Sequence, residues 1–217
     1  PILRSCFEQL EMDYTEGAGG HSLNQFFRVN GHVVIPELAE MTRNPDILYI
    51  IEAILGPDLL AWSVELFIKE AGSNKTESWH HDITYWGMGE TDEEVTAWIA
   101  LSDVSVEAGC MRFIPGSHKS GLVEHNDTFS SENLLSRGQE IADVQEEHAV
   151  HGPLLPGQMS LHHGRCFHAS GQNRSSDRRI GLAIRYVTPA VRDHAPGRDK
   201  MGCFLDGRTS WHFLNAG

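Results

Sequence analysis

From Leu59 onward the chain is a succession of short β-rich runs, and no other feature narrows its choice of fold so far. Leu59–Lys69, Val95–Leu101, Met111–Ile114, Met159–His162 and Ile180–Val187 carry the branched and aromatic residues that suit a pleated, half-buried surface. Gly, Pro, Asn and Asp punctuate them, and no helical pattern intervenes as it would in a parallel sheet. An antiparallel architecture, closed or of two sheets, is predicted. Ahead of these runs, Ile47, Leu48, Ile51, Ile54 and Leu55 recur at the spacing of a helix with one buried stripe over Asn44–Leu55, stopped by Gly56-Pro57. That helix is predicted to cover one outer face. At 217 residues, 40% hydrophobic and 22% charged, the whole of 1–217 is expected to form one domain.

Charge and cysteine usage remove several function classes. A formal net charge of -13 argues against nucleic acid or an anionic membrane as partner, because phosphate-binding surfaces need clustered Lys and Arg. Cys6, Cys110, Cys166 and Cys203 are scattered with no C-x-x-C pair, so neither a zinc knuckle nor a disulfide framework is indicated, and a reducing, cytoplasmic setting is expected. No apolar run approaches the roughly 20 residues that cross a bilayer, and no secretory layout is present. The chain starts at Pro1 rather than Met, so an N-terminal segment is expected to be missing.

The chemistry concentrates in Trp79-His80-His81-Asp82. On an extended strand, positions i and i+2 project from one face, so His80 and Asp82 can meet one ion. A second imidazole from a distant strand completes a two-histidine, one-carboxylate facial triad, which leaves positions open on a non-haem Fe(II). His162, His163 and His168 are all candidates for it. Arg179 is a planar fork that grips a carboxylate in a way lysine cannot imitate, with adjacent Arg178 as its natural control. Lys69 and Glu65 share a face of an early strand, where they meet a polar substrate or simply solvent. Tyr85 and Trp86 line a substrate mouth or pack inside. The polar stretch 118–147 is a lid or a surface excursion.

Trp79-His80-His81-Asp82-Ile83-Thr84-Tyr85-Trp86, then Gly109-Cys110-Met111-Arg112-Phe113-Ile114-Pro115-Gly116-Ser117-His118, then His168-Ala169-Ser170-Gly171-Gln172-Asn173-Arg174-Ser175 with Arg179 following, resemble the phytanoyl-CoA dioxygenase family. The resemblance runs from about Asn44 to Pro189. It implies a mainly β, double-stranded β-helix, a cupin-like jelly roll with flanking N-terminal helices, and dependence on Fe(II), 2-oxoglutarate and O2. It further implies His80, Asp82 and His168 as iron ligands, which favours His168 over His162 and His163. Arg179 becomes the partner of the cosubstrate's distal carboxylate, Ser170 a supporting hydroxyl and Trp98 a neighbour of the cosubstrate. His118 is not expected to ligate.

Strand alternation then sets Arg179, Gly181, Ala183 and Arg185 inward against Ile180, Leu182, Ile184 and Tyr186 outward, the two small residues leaving room for a ligand. On the strand around Trp98, Thr96, Trp98 and Ala100 should line the pocket. Where many relatives carry Gln between the two ligands this chain has His81, which alternation turns towards a supporting or substrate-contacting place. Candidate substrate residues are thus His81, Tyr85, Trp86, Lys69 and Arg185. Asp82 is intact, which disfavours halogenation. The expected reaction is hydroxylation of a C–H bond in a small polar metabolite, since no basic cluster suits a CoA diphosphate. The alternatives are a non-oxidative jelly-roll protein binding metal or a small acid, and a cupin-type isomerase.

Overall fold

The computed structural model describes residues 2–14, 28–128, 132–134, 138–192 and 212–215. Among the described residues, three α-helices, α1 (Ile2–Asp13), α2 (Pro36–Thr42) and α3 (Pro45–Leu55), precede the strands, and a one-turn helix, α4 (Ile83–Trp86), follows the second strand. The strands are β1 (Asp58–Lys69), β2 (Glu77–His80), β3 (Glu94–Ala100), β4 (Met111–Phe113), β5 (Asn126–Asp127), β6 (Gln139–Glu140), β7 (Val150–Gly152), β8 (Met159–His162), β9 (His168–Ser170), β10 (Arg179–Val187) and β11 (His212–Asn215). They form a five-stranded sheet, β11-β1-β10-β3-β8, and a four-stranded sheet, β2-β9-β4-β7, with β5 and β6 as a separate ladder. Every paired neighbour in these sheets is antiparallel.

β1 and β10 are buried almost end to end because both faces of the large sheet are covered. On the outer face Ile180, Leu182, Ile184 and Tyr186 of β10 join Val95, Ala97 and Ile99 of β3, and the helices lay Phe7, Leu38, Ile47 and Ile51 on them. Burying each such side chain is worth about 1.5–3 kcal/mol, so this layer holds the fold together. α3 starts where expected: the Asn44 side chain accepts from the Asp46 and Ile47 amides, Pro45 takes the first helical position, and Gly56 at φ 87° ends it. Its stripe of Ile47, Leu48 and Ile51, with Leu55 partly buried, packs on the sheet core, whereas Ile54 is 54% exposed despite the periodicity.

The inner face follows the opposite alternation, with Phe67, Trp98, Ala100 and Ala183 meeting Cys110 and Met111. Gly181 does not leave the expected ligand space. A Cβ there would sit 1.9 Å from Trp98 Cζ2, so the missing side chain accommodates the indole. α1 is fastened to the segment leading into β10 by Arg4 on Asp177 and by Arg178 on Glu11, with Arg178 also on Glu70.

Candidate metal centre

β2 and β9 are hydrogen-bonded neighbours, and their register sets His80 opposite His168 with ring centroids 4.2 Å apart. Each Nδ1–H donates to a backbone carbonyl two residues earlier, His80 to Ser78 at 2.7 Å and His168 to Cys166 at 2.9 Å. A carbonyl only accepts, so the proton lies on Nδ1 and the Nε2 lone pair is left to ligate. Asp82 reaches the same place by a different route from the one strand alternation gives. β2 ends at His80, and Asp82 is helical (φ -71°, ψ -39°) at the start of α4. Its Oδ1 lies 3.5 Å from His80 Nε2 and 3.7 Å from His168 Nε2. One donor atom from each of the three buried residues falls within 4.8 Å of the others, and among the described residues no other group of His, Cys, Asp and Glu gathers in this way. The three could hold a metal ion. Burial and the neighbouring His80 lower His168 to about 4, which keeps it in the neutral form that ligates. Asp82 is held well below the usual carboxylate range, because Arg185, His168 and His80 outweigh its burial.

The rival imidazoles point elsewhere. His162 Nε2 is 4.0 Å from the other oxygen, Asp82 Oδ2, and His163 pairs with Asp92 at 3.0 Å and Glu94 at 3.2 Å. His118 stacks loosely on His163 at 5.7 Å.

Further down the inner face, β1 and β10 set Lys69 opposite Arg179. Arg179 is fully buried; its Nη2 donates to Ser170 Oγ at 3.1 Å, and its guanidinium lies 5.4 Å from the Trp98 ring centroid. Nε and Nη1 are buried and find no acceptor among the described residues. Unfilled buried donors are costly, and a carboxylate with two oxygens is the group that would fill them. Lys69 does not face solvent or the mouth. It is buried, donating to Ser170 Oγ and, at 2.8 Å, to the Gly171 carbonyl. Glu77, which sequence reasoning missed, accepts from Ser170 Oγ and lies 3.7 Å from Arg179 Nη2. Burial lowers Lys69 to about 7, an effect Glu77 opposes and Arg179 reinforces. Glu77 falls to about 2 because Lys69 and Arg179 overcome its burial. The cluster therefore holds two basic side chains and one carboxylate around one hydroxyl, leaving a balance that suits a further carboxylate.

A sequence model of the phytanoyl-CoA dioxygenase family matches residues 13–181. The chain belongs to that family. It is 29% identical over 156 residues to the human peroxisomal phytanoyl-CoA dioxygenase, covering 70% of this chain and 46% of that one. To a probable alpha-ketoglutarate-dependent hypophosphite dioxygenase of Stutzerimonas stutzeri it is 27% identical over 196 residues, covering 83% and 67%. Among solved structures, the non-heme monooxygenase ThoJ superposes with a TM-score of 0.73 at 36% identity, covering 83% of this chain and 66% of that one. The epimerase SnoN, solved with Fe3+, alpha ketoglutarate and nogalamycin RO, shares the fold at a TM-score of 0.67 and 23% identity, covering 87% and 73%. The chain spans about half the length of the human relative.

The remaining candidate residues of this phytanoyl-CoA dioxygenase family member are buried wherever their side chains are described. His81 is buried: its amide donates to His125 Nε2 at 3.1 Å, and its own Nε2 accepts the Val123 amide at 3.2 Å. It thus pins the 121–125 segment beside the metal ligands, and the Ile141 amide, donating to the Trp79 carbonyl at 2.7 Å, brings a second described part of 118–147 against β2, the strand that carries His80. Trp86 is buried under Arg185, 5.2 Å from ring to guanidinium, with Trp62 edge-on at 5.2 Å. The Tyr85 side chain lies outside what the structure describes, as does Cys203. Arg185 and Glu65, read as facing a substrate or solvent, are buried and paired at 3.0 Å. No described helix is long and apolar enough to cross a membrane.

Proposed function

We propose that the chain is an Fe(II)- and 2-oxoglutarate-dependent dioxygenase that hydroxylates a C–H bond of a small, polar metabolite, built on a double-stranded β-helix whose two walls are the five- and four-stranded sheets. The observation that carries the reading is the meeting of His80, Asp82 and His168 donor atoms within 4.8 Å, on the same interior as a buried guanidinium with unfilled donors. His80, Asp82 and His168 hold the iron. When bound, ferrous iron with 2-oxoglutarate couples loss of CO2 and formation of succinate to insertion of one oxygen atom of O2 into the substrate.

The chain's own residues supply position. Arg179, steadied by Trp98, takes the far carboxylate of the cosubstrate, and Ser170 orients it. Lys69 and Glu77 fix Ser170 from behind. Interior packing of Phe67, Trp98 and Met111 keeps bulk water from the anchor, which strengthens these interactions. The sequence carries no basic cluster suited to a CoA diphosphate, which favours a small polar substrate.

Anaerobic Fe(II) titration of His80→Ala, Asp82→Ala and His168→Ala, with 2-oxoglutarate added to develop its metal-to-ligand charge-transfer band, tests the ligand set. Each variant should lose the band and succinate formation, by more than the ~10–100-fold that follows loss of a partner behind a ligand. A variant that binds iron and develops the band like the parent removes its residue from the set. Turnover without oxygen uptake or succinate would replace the oxygenase reading with a non-oxidative one.

A further inference from the structure

The two oxygens of Asp82 face different neighbours. Oδ1 faces the Nε2 atoms of His80 and His168 at 3.5 and 3.7 Å. Oδ2 faces Arg185 Nη2 at 3.7 Å and His162 Nε2 at 4.0 Å. Resting on the iron-site reading above, we infer that Arg185 and His162 are positioning residues that hold Asp82 as a one-oxygen ligand and keep its second oxygen off the metal.

The need for such a device is chemical. A carboxylate can bind through one oxygen or two. A facial triad is useful only while three positions stay open, and a second bond from Asp82 would close one of them. The fold builds the restraint into the large sheet. Arg185 pairs across strands with Thr96, and Thr96 with His162, so these three form a row across β10, β3 and β8 under Asp82. Arg185 is itself anchored: Nη1 lies 3.0 Å from Glu65 Oε2, and Arg28 Nε donates to Glu65 Oε1 at 3.0 Å. Trp86 covers the guanidinium plane. Arg28, Glu65, Arg185 and Asp82 therefore alternate in charge, and the last three are at most 7% exposed. At 3.7 Å the attraction of the Arg185 guanidinium for Oδ2 is charge steering rather than hydrogen bonding, and a low-dielectric interior makes it effective; His162, a buried neutral imidazole 4.0 Å away, adds bulk beside Oδ2 rather than charge. A substrate-binding role for Arg185 fits less well, because both its Nη1 and its Nη2 are turned to carboxylates.

Water-proton relaxation of the Mn(II)-loaded protein counts the water molecules left on the metal and needs neither cosubstrate nor turnover. The double variant Arg185→Met with Glu65→Gln removes the guanidinium without stranding Glu65 as a buried carboxylate, while Asp82 keeps the metal as its partner. In it Asp82 should close down on the metal, and the inner-sphere relaxation should fall by about a third, as three open positions become two. On the Fe(II) form, the 2-oxoglutarate charge-transfer band should persist, because a two-point chelate needs only two open positions. His162→Phe should lower the relaxation in the same sense and to a smaller extent. Relaxation equal to the parent in the folded double variant overturns the inference. If the double variant does not fold, Arg185→Lys replaces it: an ammonium cannot span both carboxylates, so a partial loss is expected, and no change overturns the inference. A parent protein that takes up Mn(II) with three waters but never forms succinate would sink the oxygenase reading while leaving the Asp82 comparison intact.

Discussion

β10 presents two chemistries from one backbone. Outward, Ile180, Leu182, Ile184 and Tyr186 are fully buried under the helices in an apolar layer. Inward, Arg179 and Arg185 are equally buried but face carboxylates, a hydroxyl and two aromatic rings. The outer residues lower the free energy of the fold, whereas each inner charge costs free energy that only a partner offsets. Charges retained at that cost mark where the protein handles another charged group, and the unfilled donors of Arg179 are the clearest instance.

The largest effect that sharpens this contrast is on the outer face. Leu182→Ala removes a fully buried side chain from the helix-facing core and should cost about 2–5 kcal/mol in denaturant unfolding. Metal binding by the protein that remains folded should not change. Impaired binding at temperatures where the variant is folded would show that the two faces are not separable.

A smaller effect, confined to the site, comes from exchanging neighbours. Arg179→Leu should raise the KM for 2-oxoglutarate at least about 10-fold, since hydrogen bonds to charged groups are worth about 1.5–3 kcal/mol. Arg178→Leu breaks the partly exposed pairs with Glu11 and Glu70 and should cost stability by about 1 kcal/mol or less, leaving the cosubstrate KM in place. A larger KM change in Arg178→Leu would reverse the assignment of the two arginines.

How far each face was legible follows from the range of the interactions involved. Alternation along β10 and β3 is local, so the inward and outward sets could be read from the sequence. The three motifs brought His80, Asp82 and His168 together, but the backbone reason for Asp82 was not legible, because a strand that ends at His80 looks the same in sequence as one that continues. Lys69 beside Arg179 and Glu77 beside Ser170 depend on which strands pair and in what register, 110 and 93 residues apart along the chain, and no periodicity encodes that. Read from the sequence, Arg185 faces a substrate and Glu65 a polar substrate or solvent; only the register of β1 against β10 makes them partners of each other.

The last effect, small over any one pH step, sits at the far end of the inner face, where Glu94 accepts the Gly164 amide and lies 3.2 Å from His163 Nδ1. Burial, opposed by the Gly164 amide and reinforced by Asp82, pushes Glu94 up to about 8. An acid raised in the folded state stays protonated between its unfolded value, about 4.5, and about 8, while the unfolded chain ionises. The folded state then binds more protons, so this group makes stability fall as pH rises through that window. Glu94→Gln keeps the amide contact and cannot ionise. Measured by urea unfolding with a chelator present, the variant should match the parent near pH 4.5 and gain on it towards pH 8, by at most about 1.4 kcal/mol for each pH unit. A difference independent of pH would mean that Glu94 is already ionised in the fold and that the inner face tolerates this carboxylate without neutralising it.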